Sequence, residues 1–368
     1  MRRFLEMIAP KTDFPVDFLP PELLKKYDRA VPRYTSYPTA PHFKEEYRPE
    51  DKAHDLAQAA QSEGPVSAYI HLPFCSSVCL FCGCNVTPTR DHSRGDRYLD
   101  FLIREIDLTL EHYPASRPVD QLHFGGGTPT FFTPAQLARL LTEFGNRFDF
   151  TADPEISIEC NPRDTTSEHL RVLKEMGVNR LSFGIQDLNR KTQEAVNRIE
   201  SEAVIRALVE EARELGFESI SFDLIYGLPL QTPVSFARTL NTIVDLAPDR
   251  ISLYSYAHLP QRFKTQRQIN VVDLPQADTK LALLELAIDT LSDAGYEYVG
   301  MDHFARRDDS LVRAQREGGL QRNFQGYTTH SHCDLVGLGV SAISTVGDVF
   351  AQNCKDLPGY YAKIDAGE

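Results

Sequence analysis

His71-Leu-Pro-Phe-Cys-Ser-Ser-Val-Cys-Leu-Phe-Cys-Gly-Cys84 closes an apolar run that begins at Val66. It sets Cys75, Cys79 and Cys82 in a Cys-x-x-x-Cys-x-x-Cys spacing on one tight loop. Three thiolates are one fewer than a structural zinc site or an electron-transfer 4Fe-4S cluster takes. A cluster held by three cysteines keeps one iron open to a further ligand, and an open iron is a catalytic one. Zinc knuckles use paired Cys-x-x-Cys units; here the spacing differs and no second pair exists. A fourth thiolate from Cys84 would close the site, so Cys84 is expected to lie near the cluster as a non-ligand.

Outward from this loop, short apolar runs alternate with amphipathic patterns. The expected strands are Val66–Leu72, Val119–Phe124, Glu155–Glu159, Arg180–Ile185, Ser219–Leu224 and Arg250–Tyr256. Between the first two, Leu99, Leu102, Ile103, Ile106 and Leu110 recur with the 3.6-residue period of a helix. Gly177, Gly216 and Gly295 each stand between a helical pattern and a strand run, where glycine supplies the left-handed residue that ends a helix. Alternating strands and helices imply parallel pairing. The expected fold is therefore α/β, a partial (β/α)6 barrel, although a closed eight-stranded barrel fits the pattern too. Leu335–Ser344 looks like one more glycine-rich strand. Residues 1–60 are expected to wrap the core as an extension, 61–345 to form the core, and 346–368 to begin a C-terminal domain.

The chemistry-bearing segments follow the strands, as they do at the ligand-binding edge of parallel sheets. Gly125-Gly-Gly-Thr-Pro129 lets backbone approach a ligand closely, or is simply a tight turn. Glu159 ends a strand where a carboxylate can meet an amine or ribose hydroxyls, or is a solvated strand-end charge; Gln186 and Asp223 also end strand runs.

With 368 residues and 42% hydrophobic content the chain can bury a large core. A net charge of −13 argues against nucleic acid or anionic membranes as partners. No apolar run has the length of a membrane span, and Glu6 and Pro10 interrupt any signal-peptide pattern. Four of seven cysteines share one loop, while Cys160, Cys333 and Cys354 are scattered, which suits a metal site in a reducing compartment. A cytoplasmic protein is expected.

The cysteine spacing is similar to that of the radical S-adenosylmethionine (SAM) enzymes. The chain as a whole resembles the oxygen-independent coproporphyrinogen III oxidases of the HemN type. Pro32–Thr39, the Cys82-Gly-Cys84-Asn85 ending, His123–Thr130 and Glu155–Glu159 carry the likeness. So do Leu181–Asp187, Asp223–Pro229, Met301–Phe304 and Asn323–Tyr327, and it extends over nearly the whole chain. The resemblance implies one 4Fe-4S cluster on Cys75, Cys79 and Cys82 and two SAM molecules. Tyr69, Gly126, Glu159 and Ile343 would touch the one on iron. Phe81, Gly127, Thr128, Gln186, Arg198, Asp223 and Ala257 would touch the other.

It further implies an electron from a flavodoxin or ferredoxin, cleavage of SAM to a 5'-deoxyadenosyl radical, and hydrogen abstraction from a propionate β-carbon. Loss of carbon dioxide and an electron then leaves a vinyl group, and two such events turn coproporphyrinogen III into protoporphyrinogen IX. The protein would act as a monomer that positions substrate and excludes water. Arg33 and Arg322 are candidates for binding propionates, or surface arginines. His258 and His303 are catalytic candidates or hydrogen-bonded core histidines. Relatives continue past the position of Glu368 into a helical domain, without which cluster and SAM binding should survive and full turnover should suffer. The rival readings are a haem chaperone of the same superfamily, marked by haem binding without turnover, and a radical SAM methyltransferase or haem-degrading enzyme. An electron-transfer protein would leave the glycines and Glu159 idle.

Overall fold

Along each core strand, side chains alternate between a face packed on helices and a face turned to the barrel interior. The strands are β1 Val66–Leu72, β2 Val119–Gly126, β3 Phe150–Cys160, β4 Arg180–Gln186, β5 Ser219–Tyr226 and β6 Arg250–Ser255. In the computed structural model, which describes residues 39–43, 47–59, 64–113 and 117–368, they pair in parallel in that order. The helices that cover them are α1 Ser93–Leu110, α2 Pro134–Gly145, α3 Ser167–Glu175, α4 Glu202–Glu214, α5 Pro233–Leu246 and α6 Ala277–Asp293. Most of the expected 1–60 extension, Arg33 included, lies outside the described residues.

Two further strands, β7 Tyr296–Gly300 and β8 His303–Arg306, add antiparallel to the β6 edge. At the other edge β9 Asp334–Leu338 pairs parallel with β1. β10 Ile343–Val346 and β11 Val349–Gln352 follow it antiparallel. The order is β11-β10-β9-β1-β2-β3-β4-β5-β6-β8-β7, with β11 and β7 at the two edges and without an outer partner among the described residues. The sheet is thus an open barrel rather than a closed eight-stranded one.

The expected single strand Leu335–Ser344 is corrected to two strands of opposite direction. Gly339 and Ser341 take φ of 93° and 61° and turn the chain between them. Gly337 then lies so close to β10 that an added Cβ would meet the Ile343 backbone nitrogen at 2.9 Å and other Ile343 backbone atoms nearer still.

Why these segments form these elements is local. Thr133, Thr166 and Thr232 each close a reciprocal capping box at the start of α2, α3 and α5. Gly177, Gly216 and Gly295 have φ of 88°, 79° and 92°, the left-handed helix stops that their positions predict. Ile70, Leu72, Leu122, Phe124, Ile158, Phe183, Phe222 and Leu224 join Leu99, Leu102, Leu140, Leu173 and Leu240 in one buried core. The opposite strand face is polar. Ser67 donates to Gln121 at 2.7 Å, Gln121 to Glu155 at 2.9 Å, and Arg180 pairs with Glu155 at 2.8 Å. This network fills the N-terminal half of the interior, so open space lies at the C-terminal half.

Helix α7, Leu357–Asp365, is docked through a buried carboxylate. Glu105 of α1 accepts from the Gly339 N–H at 2.6 Å, Asn353 Nδ2 at 2.6 Å and Tyr360 Oη at 2.7 Å. Removing it strands three buried donors, each costing about 1–3 kcal/mol. Glu105→Ala should lower stability in denaturant unfolding by on the order of 3 kcal/mol. An unchanged midpoint would mean that this carboxylate does not hold α1, β9 and α7 together.

Candidate functional site

The cysteine loop leaves β1 at the C-terminal rim and is tied down on every side. Pro73 O accepts from Thr87 N at 2.7 Å and Cys75 O from Thr89 N at 2.9 Å. Leu80 N donates to Val196 O at 2.9 Å, Asn197 Nδ2 to Val78 O at 2.8 Å, and Gln266 Nε2 to Phe81 O at 3.0 Å. Ser76 Oγ reaches Asp164 at 2.6 Å. A loop fixed this way presents its sulfurs without an ordering cost at the moment of metal binding.

Each expected ligand sulfur has a donor. Thr128 Oγ1 lies 3.3 Å from Cys75 Sγ, Arg198 Nη1 3.6 Å from Cys79 Sγ, and Cys84 N 3.4 Å from Cys82 Sγ. The Cys84 thiol and amide bring Cys82 down to about 7 against the effect of burial. Burial pushes Cys75 up to about 12. Arg198 is itself buried, paired with Glu200 at 2.7 Å and donating to Gly184 O.

Three glycines let the neighbouring strand approach this loop. Gly127 N donates to Leu72 O and Thr128 N to Phe74 O, both at 2.9 Å. A Cβ on Gly127 would strike the Pro73 and Phe74 carbonyls at 2.8 Å; one on Gly126, at φ 119°, would strike the His71 ring at 2.8 Å. One on Gly125 would strike Glu159 Oε1 at 2.9 Å. The run is a cradle rather than only a turn.

Two cavities open over it. The first, about 480 Å³, is lined by all three expected ligand cysteines together with Phe81, Gly127, Thr128, Gln186, Arg198, Asp223 and Ala257. The second, about 660 Å³, is lined by Tyr69, His71, His123, Gln325, Ile343 and Lys355. Gly83, Cys84, Gly126, Glu159 and Phe263 border both. The eleven residues expected to contact SAM therefore all line these spaces, and Cys84 sits where they meet. Thiol donors, a buried guanidinium and a Cβ-free floor fit an anionic iron-sulfur cluster with an organic ligand beside it.

Glu159 stands on the shared wall. Burial alone would raise it, but His123 Nε2 at 3.5 Å and the Gly126 N–H at 3.3 Å hold it below the ordinary carboxylate range. Asp223 shifts in the opposite sense. Burial, with Glu159 nearby, pushes it up to about 6 although Ser182 donates to it at 3.2 Å. Gln186 ends β4 at φ 65°, beside a register shift against β5. That irregularity turns the strand end toward the first cavity.

Several participants escaped the sequence. His71 donates from Nε2 to Asn85 O at 3.0 Å and so accepts from Tyr69 Oη at Nδ1, 3.1 Å away; burial lowers its affinity for a second proton. His123 stacks on Tyr69 with centroids 5.9 Å apart and meets Ser157 Oγ at 2.7 Å. Their signal was the period of two, which puts Tyr69 and His71 on one face of β1 with His123 opposite Tyr69. Arg322 is corrected from a surface arginine. It is largely buried, 3.4 Å from Asp302 and stacked over Tyr327 at 4.8 Å. His258 meets Tyr256 Oη at 2.9 Å, and His303 packs edge-on against Tyr254 and Tyr327; neither lines the two cavities.

Residues 69–243 match the family model of the radical SAM superfamily. The oxygen-independent coproporphyrinogen III oxidase of Pseudomonas aeruginosa is 48% identical over 349 residues, which cover 94% of this chain and 76% of the relative. The enzyme of the same name from Escherichia coli strain K12 is 51% identical, covering 93% of this chain and 74% of its own. The solved structure of the E. coli coproporphyrinogen III oxidase, described as a radical SAM enzyme, superimposes with a TM-score of 0.89 at 49% identity. That match covers 94% of this chain and 78% of the other.

Two outcomes test the geometry. Gly127→Ala should reduce iron bound per chain after anaerobic reconstitution, since the loop must move off its glycine floor; full iron loading would contradict the cradle. For Asp223, a folded value near 6 against about 3.9 unfolded means the folded state holds the proton more tightly. Its contribution to stability is present below about pH 4 and lost as pH rises through about 6. Asp223→Asn should therefore raise the stability of the ligand-free protein at pH 7.5 by up to about 2 kcal/mol, with the gain vanishing near pH 4. A gain equal at both pH values would contradict the shift.

Proposed function

This chain belongs to the oxygen-independent coproporphyrinogen III oxidases of the radical SAM superfamily, and from that membership we propose how its own residues divide the work. The family reaction is the oxidative decarboxylation of two propionates of coproporphyrinogen III to vinyl groups, giving protoporphyrinogen IX. The names of the relatives speak for this oxidase over a haem chaperone or a methyltransferase. A 4Fe-4S cluster and SAM go with the superfamily.

Cys75, Cys79 and Cys82 would hold the cluster, which when bound would supply the one-electron chemistry of the superfamily on SAM. Arg198 balances the negative charge of the thiolates; Thr128 and the Cys84 N–H hydrogen-bond two of the sulfurs. Cys84 stays a non-ligand. Glu159, held in its ionised form by His123 and the Gly126 N–H, would accept from the amine or ribose of one SAM, beside Tyr69, Gly126 and Ile343. Asp223 and Gln186 orient a second SAM, together with Phe81, Gly127, Thr128, Arg198 and Ala257.

The observation that carries the two-SAM reading is the partition of these residues. All seven of the second set line the cysteine cavity, and the four of the first set line its neighbour, with Gly126 and Glu159 common to both. Among the residues lining the wider cavity, Lys355 alone carries a fixed positive charge, which suits a propionate. We take residues 61–345 as the core that binds cluster and SAM, fed by a low-potential one-electron donor in the cytoplasm.

Equilibrium dialysis of SAM against the cluster-loaded protein should give two sites per chain, falling to one in Asp223→Asn. A single site in the parent would end the two-SAM reading. In anaerobic assays with dithionite, SAM and coproporphyrinogen III, 5'-deoxyadenosine and a divinyl product should both form. Haem binding with no vinyl product, or labelled methyl in the product, would favour the rival activities.

A further inference from the structure

The opposite rim of the barrel carries a second group of metal-type donors that the cluster chemistry does not use. Asp120, near the start of β2, and His332 and Cys333, just before β9, bring a carboxylate oxygen, an imidazole nitrogen and a thiol sulfur within 4.8 Å of one another. His330 Nε2 lies 3.6 Å and His332 Nε2 3.8 Å from the same oxygen, Asp120 Oδ2. Donors around a tetrahedral zinc with bonds of about 2.0–2.3 Å stand roughly 3.3–3.8 Å apart; both imidazole–carboxylate spacings fall in that range, and the Cys333 sulfur lies within 4.8 Å of the Asp120 and His332 donors.

The other Asp120 oxygen accepts from Thr151 Oγ1 at 2.7 Å, the kind of outer contact that orients a ligating carboxylate. His332 is exposed and Cys333 half-buried, which gives an ion a path in. A mixed oxygen, nitrogen and sulfur set selects a borderline divalent cation over calcium or magnesium.

We propose that Asp120, His332 and Cys333, with His330 beside them, form a second metal site that takes Zn²⁺. Val66 pairs with both Val119 and Asp334, so the ion would bridge β2 and the segment before β9 across the start of β1. Its role at this end of the barrel is structural. Binding displaces the Cys333 thiol proton to solvent. Plain pairing of the two histidines with Asp120 is the alternative.

The test uses protein already loaded anaerobically with its cluster, so that Cys75, Cys79 and Cys82 are occupied. After Zn²⁺ addition and desalting, elemental analysis should find one zinc per chain beyond the cluster iron. His332→Ala and Cys333→Ser should each lose that zinc with iron unchanged, and zinc should raise the melting temperature of the parent but of neither variant. Co²⁺ in place of zinc should give a thiolate charge-transfer band in the parent that is absent from Cys333→Ser. No stoichiometric zinc in the parent, or zinc retained by both variants, would overturn the site. A zinc content that rises only as iron falls would place the ion in the cluster loop and overturn it equally.

Discussion

The contact on which the rest depends is the approach of Gly127 to the carbonyls of Pro73 and Phe74. Two hydrogen bonds of 2.9 Å, from Gly127 N to Leu72 O and from Thr128 N to Phe74 O, fasten it, and the space for even one methyl group is missing. That contact joins the ends of β1 and β2 and sets the floor beneath three sulfurs. Any residue with a Cβ at 127 must push the cysteine loop outward or lose both bonds.

A second constraint is electrical. The barrel interior is polar, and its charges are arranged by depth. Glu155 is matched by Arg180 low in the barrel, and Glu159 accepts hydrogen bonds from the His123 imidazole and the Gly126 N–H at the rim. Asp223 accepts from the Ser182 hydroxyl, yet burial with Glu159 nearby pushes it up to about 6. A carboxylate raised in this way costs stability in the protein without ligand and gains when a ligand supplies donors, a common trade at sites built for binding. Arg198 works the other way, as a buried cation awaiting thiolate charge beyond what Glu200 provides.

The core strands were legible because each is a short apolar run bounded by polar, glycine or proline residues. β1 was predicted to the residue and the others to within two at their ends, except β3, which begins at Phe150, five residues before the expected Glu155. The cluster loop was legible because its ligands are close in sequence. Leu335–Ser344 misled because a glycine-rich apolar run reads alike whether it continues or doubles back; only the left-handed turn at Gly339 and Ser341 separates the two. Arg198, against Cys79 from 119 positions away, and Arg322, held by Asp302, depend on tertiary packing that no local pattern encodes. The histidines of the wall were visible in period but not in role, since their partners are strands brought together by the sheet.

The central claim is that protein thiolates hold three irons and leave the fourth to SAM. The most direct measurement is electron-nuclear double resonance on the reduced cluster, with SAM labelled at its amine nitrogen or carboxylate oxygen. Hyperfine coupling between the label and the cluster is the predicted result. A spectrum that SAM leaves unmoved, with Cys84 completing a fourth thiolate, would contradict it.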